Sequence, residues 1–309
     1  MKNTPSLAVS LAPSRELTLV NPVLTASGTF GYGDELAPIV DIQRLGAIIC
    51  KGTTLKPRAG NPQPRLAETS QGMLNAIGLQ NMGVEALIKD KAPIWAKWQV
   101  PIIVNIAGES VAEYAELAAR LDGVPGIAGL EVNISCPNVA CGCLEFGTDA
   151  ASAASVTTTV RQATKLPIII KLSPNAADIV SIAQAVTQAG ADAVSLINTF
   201  KGLAIDIKKR RPMLSNVTGG LSGPALKPVA LAMVYAVAGA IDVPVIGGGG
   251  IMTTEDALEF IMAGASAVEI GTATFLNPAS ALEIIDGIKG FMQRENVENM
   301  GALIGCARL

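Results

Sequence analysis

The chain has 309 residues, of which half are hydrophobic and only 16% are charged; its net charge is −3 and it contains no histidine. This balance argues against a nucleic-acid-binding surface, which needs clustered Lys and Arg, and we interpret the short basic run at 208–211 as solvated. The amino terminus lacks a signal-peptide pattern, and the longest uncharged apolar run, 228–241, is shorter than a membrane span. We therefore expect a cytoplasmic protein whose five irregularly spaced cysteines are thiols rather than a disulfide framework.

In chain order, residues 6–20 alternate around a Pro-Ser turn and predict a hairpin that closes the bottom of a barrel. Apolar runs then predict parallel strands at 23–29, 47–54, 102–108, 129–135, 168–173, 193–198, 244–250 and 267–273. Amphipathic patterns predict helices at 110–123, 176–190 and 254–265. Eight such units indicate an α/β fold, a (β/α)8 TIM barrel forming one domain over residues 1–309. A doubly wound open sheet is the alternative, but the Gly-rich turn after its first strand is absent.

Polar residues and glycines recur where the predicted strands end. The ends carry Ala26, Ser27 and Gly28; Lys51 and Gly52; Asn105; Asn133, Ser135 and Cys136; Lys171; Asn198 and Thr199; Gly249 and Gly250; and Gly271 and Thr272. Insertions at 55–83 and 200–222 also follow strand ends. Because barrel active sites lie at this face, and because buried polar groups cost free energy unless they are paired, these residues predict a site there.

The last two strands end in 247-GGGGI-251 and 270-IGTATF-275, with Thr253 or Thr254 as the expected N-cap of the next helix. Tight turns are one interpretation of these glycines; the other is a phosphate site, which barrels commonly form between strands seven and eight. A phosphate together with Lys171 favours a phosphorylated cofactor, since a fixed cation can stabilise an electron-rich ring such as reduced flavin. The alternative for Lys171 is an ion pair that has no chemical role.

The motifs that carry a family resemblance are 25-TASGTFGYG-33, 50-CKGTT-54, 75-NAIGLQNMG-83, 131-EVNISCPN-138, 197-INT-199, 219-GGLSGPALKP-228, 247-GGGGI-251 and 270-IGTATF-275. In this order, and over nearly the whole chain, they resemble the dihydroorotate dehydrogenases. The resemblance is greatest to the catalytic subunit of the NAD-linked, two-subunit class. It implies FMN at the barrel mouth and oxidation of (S)-dihydroorotate to orotate in pyrimidine biosynthesis.

Site residues follow from the resemblance, motif by motif. Flavin contacts would be Ser27, Lys51, Gly52, Asn105, Asn133, Lys171, Ile197, Gly223, Gly249, Gly250, Gly271 and Thr272. Substrate contacts would be Lys51, Asn75, Ala76, Ile77, Gly78, Leu79, Asn133, Asn138, Asn198 and Thr199. This set suits orotate, because asparagine amides both donate and accept hydrogen bonds and can therefore match the N–H and C=O groups of a flat imide ring.

The resemblance makes Cys136 the general base that takes the proton from C5 of the substrate, and a thiol suits this role when a neighbouring cation or helix end lowers its pKa. A buried, inert cysteine is the alternative. Many relatives have a lysine, a histidine and glycines after CPNV, where this chain has 140-ACGC-143, so we expect a weaker cationic field at Cys136. Cys141 and Cys143 could suggest a metal site, but four ligands at suitable spacing are lacking, and we expect no metal.

No nicotinamide fingerprint and no iron–sulfur ligand set is present in the sequence. The resemblance therefore implies a second subunit that carries FAD and a [2Fe–2S] cluster, and a homodimer of this chain flanked by two such partners. Three alternatives stay open: a single-subunit, fumarate-reducing dihydroorotate dehydrogenase, a barrel like that of dihydropyrimidine dehydrogenase, and a non-redox barrel that binds a sugar phosphate.

Overall fold

The computed structural model describes residues 4–134 and 146–309. Within these residues, eight parallel strands close into a barrel, which confirms the predicted (β/α)8 architecture. Their side chains are almost all buried, because the inner faces fill the barrel and the outer faces are covered by helices. No helix in these ranges is long and apolar enough to cross a membrane.

The strands, in chain order, are β1 (Val9–Ala12), β2 (Leu17–Leu19), β3 (Val23–Thr25), β4 (Ala47–Ile49), β5 (Leu66–Thr69), β6 (Gly72–Asn75), β7 (Ile102–Ile106), β8 (Gly129–Asn133), β9 (Ile168–Lys171), β10 (Ala193–Leu196), β11 (Phe200–Gly202), β12 (Ile205–Asp206), β13 (Arg211–Pro212), β14 (Gly219–Ser222), β15 (Val245–Gly248) and β16 (Ala267–Ile270). The helices are α1 (Val84–Asp90), α2 (Ala92–Trp95), α3 (Val111–Leu121), α4 (Ala150–Ala163), α5 (Ile179–Gln188), α6 (Lys227–Ala238), α7 (Thr254–Ala263), α8 (Ala273–Leu276) and α9 (Ser280–Glu295). The barrel runs in the order β3, β4, β7, β8, β9, β10, β15 and β16.

The barrel strands are shorter at their carboxyl ends than the sequence predicted. The strand predicted at 244–250 ends at Gly248, because Gly249 and Gly250 take φ values of 119° and 81° that lie outside the β region. The strand predicted at 267–273 ends at Ile270, and α8 begins at Ala273. The residues predicted as strand ends are therefore mostly loop residues that rise above the barrel.

The predicted amino-terminal hairpin is confirmed as the antiparallel pair of β1 and β2. Arg15, in the turn between them, forms an ion pair with Asp192 and donates a hydrogen bond to the carbonyl of Lys165. Both partners precede barrel strands, at the amino ends of β9 and β10. The hairpin thus covers the end of the barrel opposite the predicted site.

The barrel helices begin at side-chain caps that the sequence supplies. Ser110, Asp149 and Asp178 each accept a hydrogen bond from a backbone N–H in the first turn of α3, α4 and α5. Thr253 caps α7 in a capping box with Asp256, which settles the choice between Thr253 and Thr254. These caps fix where each connection leaves the barrel face.

The two predicted insertions come together above the carboxyl ends of the strands. Strands β5 and β6, from residues 55–83, and β11 and β14, from residues 200–222, form one antiparallel sheet in the order β11, β14, β6, β5. A smaller hairpin of β12 and β13 projects from the same region. The four-stranded sheet, called here the insertion sheet, forms one wall above the barrel.

Candidate active site

A cavity of about 420 Å³ opens at the carboxyl face of the barrel, between the strand ends and the insertion sheet. The structure brings most of the predicted site residues together around it: Ser27, Lys51, Gly52, Asn75, Ile77, Gly78, Leu79, Asn133, Lys171, Ile197, Asn198, Thr199, Gly223, Gly249, Gly250, Gly271 and Thr272. This volume lies in the range of small-molecule sites, roughly 300–1,000 Å³.

Two of the predicted residues that the structure describes, Asn105 and Ala76, are not part of this lining. Asn105 is buried behind Gly52, where a Cβ on that glycine would lie 3.0 Å from Asn105 Oδ1. Ala76 is fully buried, and its backbone N–H and C=O bond to the chain around it, which makes its place structural. Cys136 and Asn138 lie outside the described residues, as do Cys141 and Cys143, so their predicted roles stay predictions.

The glycines of the seventh strand end allow close backbone packing. A Cβ on Gly250 would lie 2.7 Å from the backbone nitrogen of Lys227, and one on Gly249 would lie 2.9 Å from Ala230 Cβ. Both positions also have positive φ, which disfavours any other residue. The tight-turn interpretation is therefore correct, and the same loop lines the cavity, where the sequence predicted a phosphate site.

The bottom of the cavity contains a buried charged cluster, called here the floor cluster. Lys171 Nζ contacts Glu269 Oε2 at 2.6 Å and Glu131 Oε1 at 3.3 Å. Glu131 also accepts hydrogen bonds from Ser195 Oγ at 2.8 Å and from Asn105 Nδ2 at 2.5 Å. The predicted ion pair of Lys171 thus exists, and Lys171 and Glu269 also line the cavity.

The two carboxyl groups of the floor cluster differ in their surroundings. Burial alone raises the pKa of Glu131, but Lys171 and the hydrogen bonds at both of its oxygens outweigh burial and lower it. Burial and the neighbouring negative charge of Glu131 raise the pKa of Glu269 to about 8, although Lys171 opposes them. Glu269 Oε1 is buried and has no hydrogen-bond partner among the described residues. Lys171 and the hydrogen bonds thus favour the ionised form of Glu131, whereas Lys171 offsets only part of the cost of ionising the buried Glu269.

The upper edge of the cavity, called here the rim, carries two further cations. Lys51 follows β4 and is half-buried; burial lowers its pKa, and the nearby Arg65 lowers it further. Arg65 lines the cavity from the insertion, where its guanidinium donates to Gln80 Oε1 at 2.5 Å. The charge of Glu35 acts on the pKa of Lys51 in the opposite direction, and neither Lys51 nor Arg65 forms a salt bridge among the described residues. The rim is therefore suited to an anionic ligand.

Three amide side chains stand between the floor cluster and the rim. Asn198 Nδ2 donates to Asn133 Oδ1 at 3.3 Å, and the backbone N–H of Thr199 donates to Asn198 Oδ1 at 2.8 Å. Asn75, at the end of β6, donates to the carbonyl of Gly220 on the neighbouring strand at 3.3 Å. Side chains that both donate and accept suit a heterocycle with alternating N–H and C=O groups.

Sequence reasoning missed several lining residues, notably Arg65, Gln80, Glu269 and Phe275. Arg65 and Gln80 lie in an insertion whose conformation the sequence pattern does not reveal. Glu269 carries a detectable signal, since a glutamate within the otherwise apolar run AVEI is a buried charge that needs a partner. Glu131 lies in its strand in the same way.

The site fits a flavin on two observations from the described residues. The cavity has the volume of a small-molecule site, and one buried polar atom on its floor, Glu269 Oε1, lacks a partner. A flavin ring offers both N–H and C=O groups to such an atom. Gly249, Gly250 and Gly271 line the cavity at the seventh and eighth strand ends, so the backbone itself borders the ligand space there.

Comparisons with known proteins agree with this geometry. Residues 11–292 match the dihydroorotate dehydrogenase family. The chain is 57% identical over 301 residues to a protein of Pelobacter propionicus named dihydroorotate dehydrogenase B (NAD(+)), catalytic subunit, with 97% of this chain and 98% of the relative covered. Relatives of the same name in Trichlorobacter lovleyi and Desulforudis audaxviator are 56% identical over 301 residues (97% and 98% covered) and 57% identical over 291 residues (94% and 95% covered). The chain therefore belongs to the dihydroorotate dehydrogenase family, whose members are flavin-dependent oxidoreductases.

Proposed function

We propose that this chain is the catalytic subunit of an NAD-linked dihydroorotate dehydrogenase, which oxidises (S)-dihydroorotate to orotate in pyrimidine biosynthesis in the cytoplasm. The observation that carries the proposal is the convergence of Lys51, Asn75, Asn133 and Asn198 on one cavity above the buried Lys171. The names of the relatives support the NAD linkage and the division into subunits. Residues 1–309 act as one domain.

The flavin would be FMN, which the strand-end residues indicated by the family motifs would hold in the cavity that Lys171 also lines. When bound, FMN supplies a hydride acceptor at N5. Lys171 stabilises the negative charge that the ring gains on reduction, because a fixed cation in a site of low dielectric needs no reorganisation. Its pKa supports this role: burial opposes the charge, but Glu131 and Glu269 raise the pKa above its ordinary value, so the ammonium is retained.

The substrate carboxylate pairs with Lys51. This residue is half-buried and lacks a carboxylate partner among the described residues, so an incoming anion would restore the stabilisation that burial removes. Asn75, Asn133 and Asn198 hydrogen-bond to the edges of the ring, and Ile77, Gly78 and Leu79 enclose it. Because a buried amide group without a hydrogen-bond partner costs free energy, the site binds a ligand that hydrogen-bonds to all three amides more tightly than one that does not.

Cys136 is the general base, which receives the C5 proton while the C6 hydride leaves. It lies outside the described residues, so this role rests on the family motif 131-EVNISCPN-138. Ala140 to Cys143 replace the basic residues common in relatives, and a weaker local positive field makes the thiolate less available. We therefore expect Cys136→Ser to slow flavin reduction strongly at neutral pH and to retain bound flavin.

Electrons leave through a partner subunit that carries FAD and a [2Fe–2S] cluster, in a homodimer of this chain flanked by two partners. An exposed apolar edge beside the cavity supports docking close to the flavin. The side chain of Phe275, which lines the cavity, is 57% exposed and that of Leu276 is 78% exposed. Such apolar exposure is typical of protein–protein contact sites.

The proposal is tested by measuring electron acceptors. The purified chain loaded with FMN should reduce artificial dyes with dihydroorotate and should reduce NAD only when the partner is added. NAD reduction at the dye rate by the chain alone would contradict the two-subunit assignment, and rapid fumarate reduction would place the chain in the single-subunit class. A chain that takes up no flavin would support a sugar-phosphate barrel instead.

Lys51→Ala separates substrate binding from flavin binding. We expect orotate affinity to fall by roughly 10- to 150-fold, because a charge-assisted contact worth about 1.5–3 kcal/mol is lost from a half-buried site. FMN affinity should change little, since many other strand-end residues bind it. Lys201→Ala, at an exposed lysine of the insertion sheet, is the matched control. Normal orotate binding with loss of FMN would show that Lys51 serves the flavin.

A further inference from the structure

The floor cluster has one cation for two carboxyl groups, and hydrogen bonds distinguish the two. Both oxygens of Glu131 accept hydrogen bonds, from Lys171 and Ser195 at Oε1 and from Asn105 at Oε2. Glu269 accepts from Lys171 at Oε2 and lies within hydrogen-bonding contact of the carboxyl group of Glu131, a contact that needs a proton between the two groups; its buried Oε1 has no donor among the described residues. A second negative charge in this dry site costs several kcal/mol, so a proton on the cluster resides on the less satisfied carboxyl group.

Glu269 also faces the cavity, whereas Glu131 does not line it. The neighbouring strand β15 ends in glycine beside it: a Cβ on Gly248 would lie 3.3 Å from Glu269 Cβ and 3.9 Å from Oε2. A side chain at this position would therefore crowd Glu269, which lines the cavity although it is almost fully buried. A ligand on the cavity floor would therefore meet both the ammonium of Lys171 and the carboxyl group of Glu269.

We propose that Glu269 is a redox-linked proton site beneath the flavin, which holds a proton while the flavin is reduced and so leaves the charge of Lys171 available to the reduced ring. This inference rests on the proposed function, because it requires FMN in the cavity. Glu269 is a positioning residue that acts through Lys171. Its shifted pKa, about 8, places its titration in the range where enzymes operate.

The charge balance explains the role. Dihydroorotate delivers a hydride, two electrons and one proton, to the flavin, and the ring gains one negative charge; the second substrate proton goes to the base. With Glu269 protonated, the ammonium of Lys171 and the carboxylate of Glu131 sum to zero. With Glu269 ionised, the cluster carries one negative charge, which disfavours the reduced flavin above it. Reduction therefore raises the pKa of Glu269, and between the pKa values of the oxidised and reduced enzyme reduction takes up an additional fraction of a proton.

The groups that could interfere with this titration are few. Among the described residues, the charged groups that act on Glu269 are Glu131 on β8 and Lys171 on β9. Cys50 follows β4 and lies near Glu131, but burial raises the pKa of its thiol to about 12, so it stays neutral throughout. A proton taken up near pH 8 by this cluster is therefore assigned to Glu269.

The test is the midpoint potential of bound FMN as a function of pH, measured by dye equilibration on the FMN-loaded chain. Wild type, Glu269→Gln and the control Glu259→Gln are compared, because Glu259 is the outer carboxylate partner of a surface lysine, Lys227. At pH 6 we expect bound FMN to have the same midpoint potential in wild type and in Glu269→Gln. Above pH 8 the midpoint potential of wild type should lie about 30 mV below that of Glu269→Gln. For a two-electron couple this equals a tenfold weaker preference for reduced over oxidised FMN.

Parallel profiles for wild type and Glu269→Gln at every pH would overturn the inference, as would the same divergence in Glu259→Gln. If Glu269→Gln does not fold, the profile of Cys136→Ser decides, because this flavin-retaining variant removes the proposed base as a second source of the proton: it must contain a segment in which reduction takes up additional proton, about half of one at most for a tenfold effect, and the absence of that segment overturns the inference. A chain that binds no FMN would overturn both this inference and the proposed function. A chain that binds FMN and is reduced by dihydroorotate, but shows no such segment, would overturn the inference alone.

Discussion

Two lysines of this protein each contact two carboxyl groups, one inside the barrel and one outside it. Lys171 contacts Glu131 and Glu269 with side-chain exposures of 6%, 0% and 4%. Lys227, at the start of α6, contacts Asp256 and Glu259 with exposures of 26%, 14% and 46%. The two triads have the same chemistry and similar distances, so their differences in behaviour arise from burial.

Outside the barrel, the triad behaves as an ordinary ion pair. Hydrogen bonds to Asp256 and Glu259 raise the pKa of Lys227. Burial raises the pKa of Asp256, but the hydrogen bonds that Asp256 accepts, first of all from Lys227, outweigh burial and lower it. Inside the barrel, desolvation is the largest influence on all three groups, and it leaves Glu269 with its pKa raised to about 8. The surface triad connects α6 and α7, whereas the buried triad has one cation for two buried carboxyl groups, of which Glu269 has the raised pKa.

Replacing the central lysines by methionine should give the largest difference between the triads. We expect Lys171→Met to lower the free energy of unfolding of the flavin-free chain by about 3–5 kcal/mol, because removing one partner leaves buried carboxyl groups without their cation. The loss should grow with pH, since the folded pKa of Glu131 then rises above its unfolded value and protonation at low pH relieves the cost. Urea unfolding at pH 5 and pH 8 measures both effects. A loss below about 1 kcal/mol at pH 8 would mean that the triad is not buried as described.

The sequence predicted the barrel well because its pattern is local. Most barrel strands are predominantly apolar runs, and helices α3, α4, α5 and α7 have side-chain caps of their own, so the order of elements follows without long-range information. The insertion sheet was not predicted, because β6 pairs with β14 across about 145 residues, as between Asn75 and Gly220, and its strands contain glycines that weaken the strand pattern. The local sequence therefore indicates where a strand lies along the chain, but not which other strand it pairs with.

The same distinction applies to the site. Residues at strand ends could be placed because the fold brings those ends together, and nearly all of them line the cavity. The partners of Lys171 could not be chosen from sequence, since Glu131 and Glu269 come from different strands of a closed barrel. Asn105 was predicted to contact the flavin, and this stays a prediction; the structure places its Nδ2 against Glu131 and leaves its Oδ1 without a partner among the described residues.

The pH dependence of stability sharpens the comparison through Glu269. Its folded pKa, about 8, lies above the unfolded value near 4.3, so between these values the folded chain binds one more proton and its stability falls as pH rises. Glu269→Gln removes this slope. We expect the variant to gain about 2 kcal/mol over wild type between pH 6 and pH 8, measured by urea unfolding of the flavin-free chain. Glu131, whose pKa is lowered, affects stability only at more acidic pH. A constant difference between the two proteins across this range would show that Glu269 is ionised throughout.

The smallest effect is expected at the outer triad. Lys227→Met should lower the free energy of unfolding by no more than about 1 kcal/mol, because partly exposed ion pairs contribute little and water replaces the lost contact. Asp256 keeps its hydrogen bonds from the backbone N–H groups of Met252 and Thr253, so the capping box of α7 survives the substitution.

The stability loss in Lys227→Met should shrink further in 1 M salt, where the Debye length is about 3 Å. The stability loss in Lys171→Met should not shrink, because salt does not enter the barrel. Thermal unfolding of both variants at low and high salt measures this contrast. Equal salt dependence in the two variants would show that the inner triad is open to solvent, and the physical distinction between the triads would then be wrong.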